Sequence, residues 1–241
     1  MTDGTIADQP RLDQPDGLPR GLLLWWSLWL LAAWFQAFVW DQPTAPSPSF
    51  LTLAPQQMLF SIGLGMTIVW PVFRFTRRPQ RRDSARLPFY DWVAIAGTAQ
   101  VVIWPMRLWT DWPPSRILMV DLTLLGWALL IGGAIAWGIA GPEPTRAIRQ
   151  LLALLGCIII AGAAPLIALT LNGGTAGSAP SEWMHWSPLT RLWLLGQRAP
   201  TPPPTIDWIR AGVVVFIAVL VWLAAALLPR RESPRPIPTK G

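Results

Sequence analysis

The stretch that decides the fold is I-L-M-V-D-L-T-L-L-G-W-A-L-L-I-G-G-A-I-A-W-G-I-A, residues 117–140. Asp121 is the only charged residue in this run, and its polar and apolar residues do not alternate. The hydrocarbon layer of a bilayer is about 30 Å thick, and a helix needs about 20 apolar residues to cross it. Because the strands of a membrane barrel alternate polar and apolar residues, this run predicts a transmembrane helix.

Five further runs have the same apolar character, and each is bounded by proline, glycine or charge, as helix ends often are: 21–40, 57–73, 90–109, 151–171 and 209–228. Charged residues make up 13% of the 241-residue chain. That share is about half the one usual in soluble domains. The sequence therefore predicts an all-α, polytopic membrane bundle of six transmembrane helices over residues 21–228.

The two ends of the chain are polar. Residues 1–20 combine four aspartates with three prolines, and residues 229–241 are rich in arginine and proline. Such segments cannot bury enough apolar surface to order themselves, so we expect disordered tails. The first apolar run follows a long polar stretch and has about 20 residues, which favours a retained helix over a cleaved signal peptide.

The basic residues give the expected orientation. In a six-crossing chain, 14 arginine and lysine residues fall on the side that holds both termini, and 5 fall on the other side. Basic residues collect in cytoplasmic segments, so both termini are predicted to be cytoplasmic. Every basic residue except Lys240 is arginine, which is typical of GC-rich bacteria. We therefore expect a multi-pass protein of the bacterial plasma (inner) membrane.

The densest charge lies in R-F-T-R-R-P-Q-R-R-D-S-A-R, residues 74–86. These arginines could bind anionic lipid head groups or a cytoplasmic partner, or act only as a topology signal that rests on anionic lipid. No aromatic platform accompanies them, so nucleic acid is not an expected partner. The candidate patch consists of Arg74, Arg77, Arg78, Arg81, Arg82 and Arg86.

The longest connection, residues 172–208, is predicted to lie outside and to contain a short helix. Ser187 followed by Pro188 is a favourable helix start, and Gly196 a favourable stop. Indole rings favour the head-group level of a membrane. We therefore expect an interfacial helix lying flat on the outer leaflet or on the outer helix ends, formed around Trp183, His185, Trp186, Leu189, Leu192 and Trp193.

Arg107 and Asp121 are candidates for an intramembrane ion pair. They stand seven residues on either side of position 114, the middle of a short turn, so an antiparallel helix pair would bring them to similar depth. Charges buried in a membrane need partners. The pair could be a structural latch between the third and fourth helices or part of a substrate site.

Recognisable reaction chemistry is absent from the sequence. His185 is the only histidine and Cys157 the only cysteine, so the chain has no second ligand of these types for haem or a structural metal. It lacks the G-x-S-x-G, Walker A, G-x-G-x-x-G and H-E-x-x-H patterns. We expect neither a cofactor nor a bound metal, and we do not expect an enzyme.

These features predict a non-catalytic integral membrane subunit of a larger assembly, with a role in packing, scaffolding or transport. The alternative is suggested by layout. Six helices, cytoplasmic termini and short external helices between the fifth and sixth helices resemble ABC-2-type export permeases. This resemblance implies a permease subunit that works with a separate ATPase chain. The expected partners are the lipid bilayer and either other membrane subunits or a cytoplasmic ATPase.

Overall fold

The protein is described by a computed structural model that covers residues 20–40, 48–76, 86–108, 110–140, 143–171, 182–197 and 201–227. The predicted tails lie outside these ranges, apart from Arg20. The small-residue stretch 172–181 also lies outside them. Within the described ranges the secondary structure is helical, without a strand. The predicted all-α class is confirmed.

Eight α-helices are described, and several continue into short helices of other types. A π-helical turn, Gln36–Trp40, extends α1, and another, Gly65–Val69, joins α2 to α3. Two 3-10 helices, Pro105–Leu108 and Glu182–Trp186, follow α4 and precede α7. The α-helices are α1 (Arg20–Phe35), α2 (Pro48–Leu64), α3 (Trp70–Thr76), α4 (Arg86–Ile103), α5 (Pro114–Ile139), α6 (Glu143–Leu171), α7 (Pro188–Gln197) and α8 (Thr205–Leu227).

Five of the described helical stretches are long and apolar enough to cross a membrane: Arg20–Val39, Leu53–Thr76, Pro114–Ile139, Pro144–Ile167 and Thr205–Leu227. The chain is accordingly a multi-pass membrane protein of apolar helices. The remaining predicted crossing corresponds to α4, whose 18 residues include Arg86 and Asp91. Most helices begin several residues before the predicted runs, because polar first turns project beyond the apolar part.

The core forms around α5. This helix packs against α4, α6, α7 and α8, and most of its residues are buried. The contact with α8 is close because α5 has glycines facing it; a Cβ on Gly133 would lie 3.0 Å from Cγ1 of Val221. The indole N–H of Trp222 donates a hydrogen bond to the Leu129 carbonyl over 2.8 Å. Small residues on α5 therefore let the central helices approach closely, as they do in many membrane bundles.

The long helices alternate in direction. Trp25 stacks on Phe73 while Trp29 donates to the Ser61 carbonyl, so α1 runs antiparallel to the α2–α3 stretch. Hydrogen bonds show how the other long helices run relative to α5. Trp92 bonds to Leu125 and Gln100 to Asp121, so α4 is antiparallel to α5. The helix α6, which bonds through Arg149 to Ala140, is also antiparallel to α5, whereas α8, which bonds through Trp222 to Leu129, is parallel to it.

The surface of the bundle is apolar on α1, α6 and α8. Large side chains on these helices face outward, and Leu24, Leu151 and Phe216 are examples that are all more than half exposed. Water does not solvate such continuous apolar faces without penalty, whereas lipid tails do. The exposure pattern therefore fits a protein whose outer surface contacts lipid or other membrane subunits.

Candidate functional site

Between α6 and α8, the structure describes residues 182–197 and 201–204, and much of 185–196 is buried in the bundle. The Ser187 hydroxyl, at the start of α7, donates a hydrogen bond of 2.7 Å to the Ala161 carbonyl of α6. On the other side, Leu189 and Leu192 pack against α2, where a Cβ on Gly63 would lie 2.8 Å from Cδ1 of Leu192. The start of α7 therefore lies between α2 and α6.

The contacts of α7 place its first turn deep in the bundle. Ala161 lies six residues before Ile167, the end of the apolar span in α6, and Gly63 lies ten residues after Leu53, the start of the span in α2. Six to ten helical residues measure about 9–15 Å. A Cβ on Gly196, near the end of α7, would lie 3.1 Å from Cα of Gln56. The 10-residue α7 therefore runs antiparallel to α2, from within its apolar span toward the end at which α2 begins.

The expectation was a helix lying flat on the outer leaflet or on the outer helix ends, whereas α7 runs alongside α2. Leu189 and Leu192 are buried among helices, and Trp193 makes an edge contact with Phe60 of α2. The 3-10 turn partly fits the prediction, because Trp183 and Trp186 are exposed while His185 is buried. The reason for the difference is room inside the bundle: glycine on α2 and small residues on α6 leave a groove for the leucines of α7.

A buried ion pair joins α7 to α8. Nη2 of Arg191 lies 2.9 Å from Oδ1 of Asp207, and the two side chains are 3% and 1% exposed. Asp207 occupies the first turn of α8, where a negative charge also interacts favourably with the helix dipole. Charges buried to this degree are tolerated only when they are paired. The pair therefore links α7 to the beginning of α8.

The network continues to the protein surface. Arg210 lies one turn along α8, with Nη1 at 3.6 Å from Oδ1 of Asp207. Its guanidinium also pairs with the carboxylate of Glu182, which is 79% exposed. Glu182, Arg210, Asp207 and Arg191 thus form an alternating series of two carboxylates and two guanidinium groups, and the series runs from an exposed position to a buried one.

His185 lies at the inner end of this series. Its Nδ1 is 2.8 Å from Nη1 of Arg191, and the residue is 8% exposed. A guanidinium group has only N–H donors, so Nδ1 must accept this hydrogen bond. The imidazole is therefore neutral and carries its proton on Nε2. We refer to Glu182, His185, Arg191, Asp207 and Arg210 as the outer ion network.

The outer ion network holds three elements together with little chemistry of its own. It ties the Glu182–Trp186 turn, α7 and α8, and its four permanent charges balance. Among the described ranges, no group of three or more histidine, cysteine, aspartate or glutamate side chains is arranged to hold a metal ion. The arrangement can hold α7 in position against α8.

The structure does not bring Arg107 and Asp121 together. Within the described part of the chain, the ion pairs shorter than 4.0 Å do not include these two residues. Arg107 lies exposed in the 3-10 helix after α4, while Asp121 accepts a hydrogen bond from the Gln100 amide. The turn after Ile103 moves Arg107 away from the face of α4 that contacts α5, so Gln100 takes the place expected for the arginine.

The candidate cytoplasmic patch is described only in part. Arg74 pairs with the buried Asp91 over 3.4 Å, which connects α3 to α4. Arg77, Arg78, Arg81 and Arg82 lie outside the described residues, as does the side chain of Arg86. Arg149, which is not part of the patch, donates a hydrogen bond of 3.0 Å to the Ala140 carbonyl and so caps the end of α5. At least one arginine of the patch thus has an internal structural partner.

The sequence interpretation missed most of the outer ion network. Of the five residues of the network, it named only His185. The available signal was composition: Arg191 is the only charged residue in α7, and Asp207 and Arg210 are the only charged residues in α8. Charges this rare in apolar helices need partners, although the sequence does not say which.

Comparison with known proteins gives no relationship to set beside this geometry: no protein-family model, no curated protein and no solved structure matches the chain.

Proposed function

We propose that the chain is a non-catalytic membrane subunit of a larger assembly, and more specifically the permease subunit of an ABC-2-type exporter that works with a separate ATPase chain. The observation that carries this proposal is the packing of α7 between α2 and α6, together with the Arg191–Asp207 pair that joins it to the last long helix. We infer from this packing that α7 is a re-entrant helix. Non-helical backbone at membrane depth is tolerated where protein buries it or where it lines a pathway.

The layout of the helices supports this proposal. We infer six crossings with both termini in the cytoplasm, counting α4 as the third crossing. The helices α4 and α5 are antiparallel, with hydrogen bonds from Trp92 to Leu125 and from Gln100 to Asp121. We infer from these bonds that α4 extends along much of α5. With six alternating crossings, Arg20 and Leu227 come to the same end of the bundle. The likeness to exporter permeases is one of layout, which is weaker support than a shared motif.

The outward-facing apolar surfaces support assembly with other chains. Exposed leucine, isoleucine and phenylalanine side chains cover α1, α6 and α8, and Gly156 of α6 has no atom within 4 Å of an added Cβ. A scaffold subunit would use the same faces, so it is the second candidate function. It would bind redox, pigment or enzyme subunits and would show no dependence on ATP.

Purification of the tagged chain from its native membranes in a mild detergent separates the two candidates. A permease should co-purify with a nucleotide-binding chain, and the complex should hydrolyse ATP. A scaffold should instead bring down other membrane or enzyme subunits without ATPase activity. Recovery of the chain alone from membranes, after cross-linking as well as without it, would contradict both forms of the proposal.

A matched pair of variants tests where the partner binds. Replacing Arg77, Arg78, Arg81 and Arg82 by glutamine removes charge from the proposed cytoplasmic contact. Replacing Arg107 by glutamine removes one exposed charge from the opposite side. We expect loss of the partner only in the first variant. A tag at either terminus that is accessible from the periplasm of intact cells would overturn the orientation and the proposed cytoplasmic contact.

A further inference from the structure

We propose that His185 is a proton-sensitive residue of the outer ion network, and that its protonation from the outer side releases α7 from its docked position. This inference does not depend on what the protein transports or binds, but the side from which the proton arrives rests on the proposed orientation. It depends on the contact between Nδ1 of His185 and Nη1 of Arg191, which are 2.8 Å apart.

The docked position of α7 requires a neutral imidazole. Arg191 is always charged and can only donate hydrogen bonds, so the contact exists only while Nδ1 has a free lone pair. Protonation turns Nδ1 into a donor and sets two cations against each other at this distance. The docked form therefore binds a proton less readily than the undocked form, and docking becomes weaker as the pH falls.

The charges on α7 and α8 set the direction of this effect. Arg191 is the only charged residue of α7, and it pairs with Asp207 of α8. Arg210 of α8 pairs with Asp207 and with Glu182, which belongs to the same turn as His185. Protonation of His185 would place a further positive charge directly beside Arg191.

The described helices α2, α5 and α6, which pack against this region, carry few charged residues. Between Arg149 and Leu171, α6 has no charged residue, and its titratable group on this stretch is the buried thiol of Cys157. The α2 helix has no charged residue. On α5, which contacts α7, the charged residues are Arg116 and Asp121, and Asp121 accepts a hydrogen bond from Gln100 of α4.

Protons can reach the network from one end of the bundle. Glu182 is exposed, and the chain of ion pairs from it leads inward to the His185 contact. An imidazole in water has a pKa of about 6.5, so an undocked His185 would gain its proton in mildly acidic medium. Release would free α7, which fills the groove between α2 and α6. The segment would then respond to acid in the outer compartment.

The test measures access to a buried thiol at the start of α7. In a Cys157→Ala background, Ser187→Cys places a nearly isosteric thiol at a position with no exposed surface. The full chain is reconstituted in lipid nanodiscs, and alkylation of this thiol is followed between pH 7.5 and 5.5. A second chain also carries His185→Asn, whose amide oxygen can take the place of Nδ1 and accept from Arg191 without titrating.

The ratio of alkylation rates in the two chains removes the intrinsic effect of pH on thiol reactivity. We expect this ratio, histidine over asparagine, to rise as the pH falls, by up to about tenfold per pH unit because one proton is linked to release. A chain with Pro202→Cys, an exposed position, should give a constant ratio. A constant ratio at Ser187→Cys as well would overturn the proposal.

A further variant covers the case in which His185→Asn does not fold. His185→Lys places a permanent cation in the turn, so its alkylation should be fast at pH 7.5 and respond less to pH than the histidine chain. If the lysine chain remains as protected as the histidine chain at pH 7.5, a cation is tolerated beside Arg191, and the proposed mechanism of release is wrong.

Discussion

Replacing Asp207 by asparagine removes one charge of the buried pair and leaves the shape of the side chain. At 2.9 Å, two unit charges attract by about 6 kcal/mol for an effective dielectric constant of about 20. Much of this attraction offsets the desolvation of both groups. The free energy of unfolding is expected to fall by about 3–5 kcal/mol, because Arg191 remains buried without its carboxylate partner.

Thermal unfolding of the purified protein in detergent measures this loss. For a chain of this size, about 1 kcal/mol corresponds to a change in Tm of about 2–4 °C, so Asp207→Asn should lower Tm by about 6–20 °C. Glu182→Gln is the matched control. It removes a carboxylate of the same network at an exposed position, where an ion pair contributes about 0–1 kcal/mol.

A double variant separates the cost of an unpaired charge from the value of the pair. Arg191→Met with Asp207→Leu replaces both charges by apolar groups, and most of the lost stability should return. A Tm for Asp207→Asn within 2 °C of the parent chain would refute the reasoning that the charge is buried and dependent on its partner. A double variant less stable than either single variant would refute the apolar character of the surroundings.

Two further predictions test the packing of α7 and the role of Arg107. Gly63→Val should displace α7 and expose its first turn to protease, because a Cβ at this position meets Leu192 at 2.8 Å, whereas Gly156→Val, which faces open space, should leave the cleavage rate unchanged. Arg107→Gln should change Tm by less than 1 °C since the side chain is exposed, and a loss of several degrees would restore the hypothesis of an ion pair with Asp121.

Part of the site was within reach of the sequence, and the rest was not. Ser187 and Pro188 predicted the start of a short helix, and α7 begins at Pro188. The direction in which this helix lies was not predictable, because a face of leucines packs equally well on lipid or in a protein groove. The groove depends on Gly63 and Gly196, which stand 133 residues apart and meet α7 and α2, respectively, only in the folded bundle.

The Arg107 and Asp121 hypothesis illustrates the same limit. Sequence distance from the turn gave the two residues a similar depth, but depth does not fix the face of a helix. The 3-10 turn at Pro105–Leu108 changes the direction of Arg107, so Asp121 interacts with Gln100 instead.

The sequence by itself determined that lipid solvates much of this protein and that its backbone is helical, because the lengths and apolar character of runs such as 117–140 are local properties. Only the tertiary structure decided that α7 packs between α2 and α6 and that His185, Arg191 and Asp207 meet. Those contacts join segments separated by unlike loops, and a buried charge specifies that it needs a partner without specifying the partner.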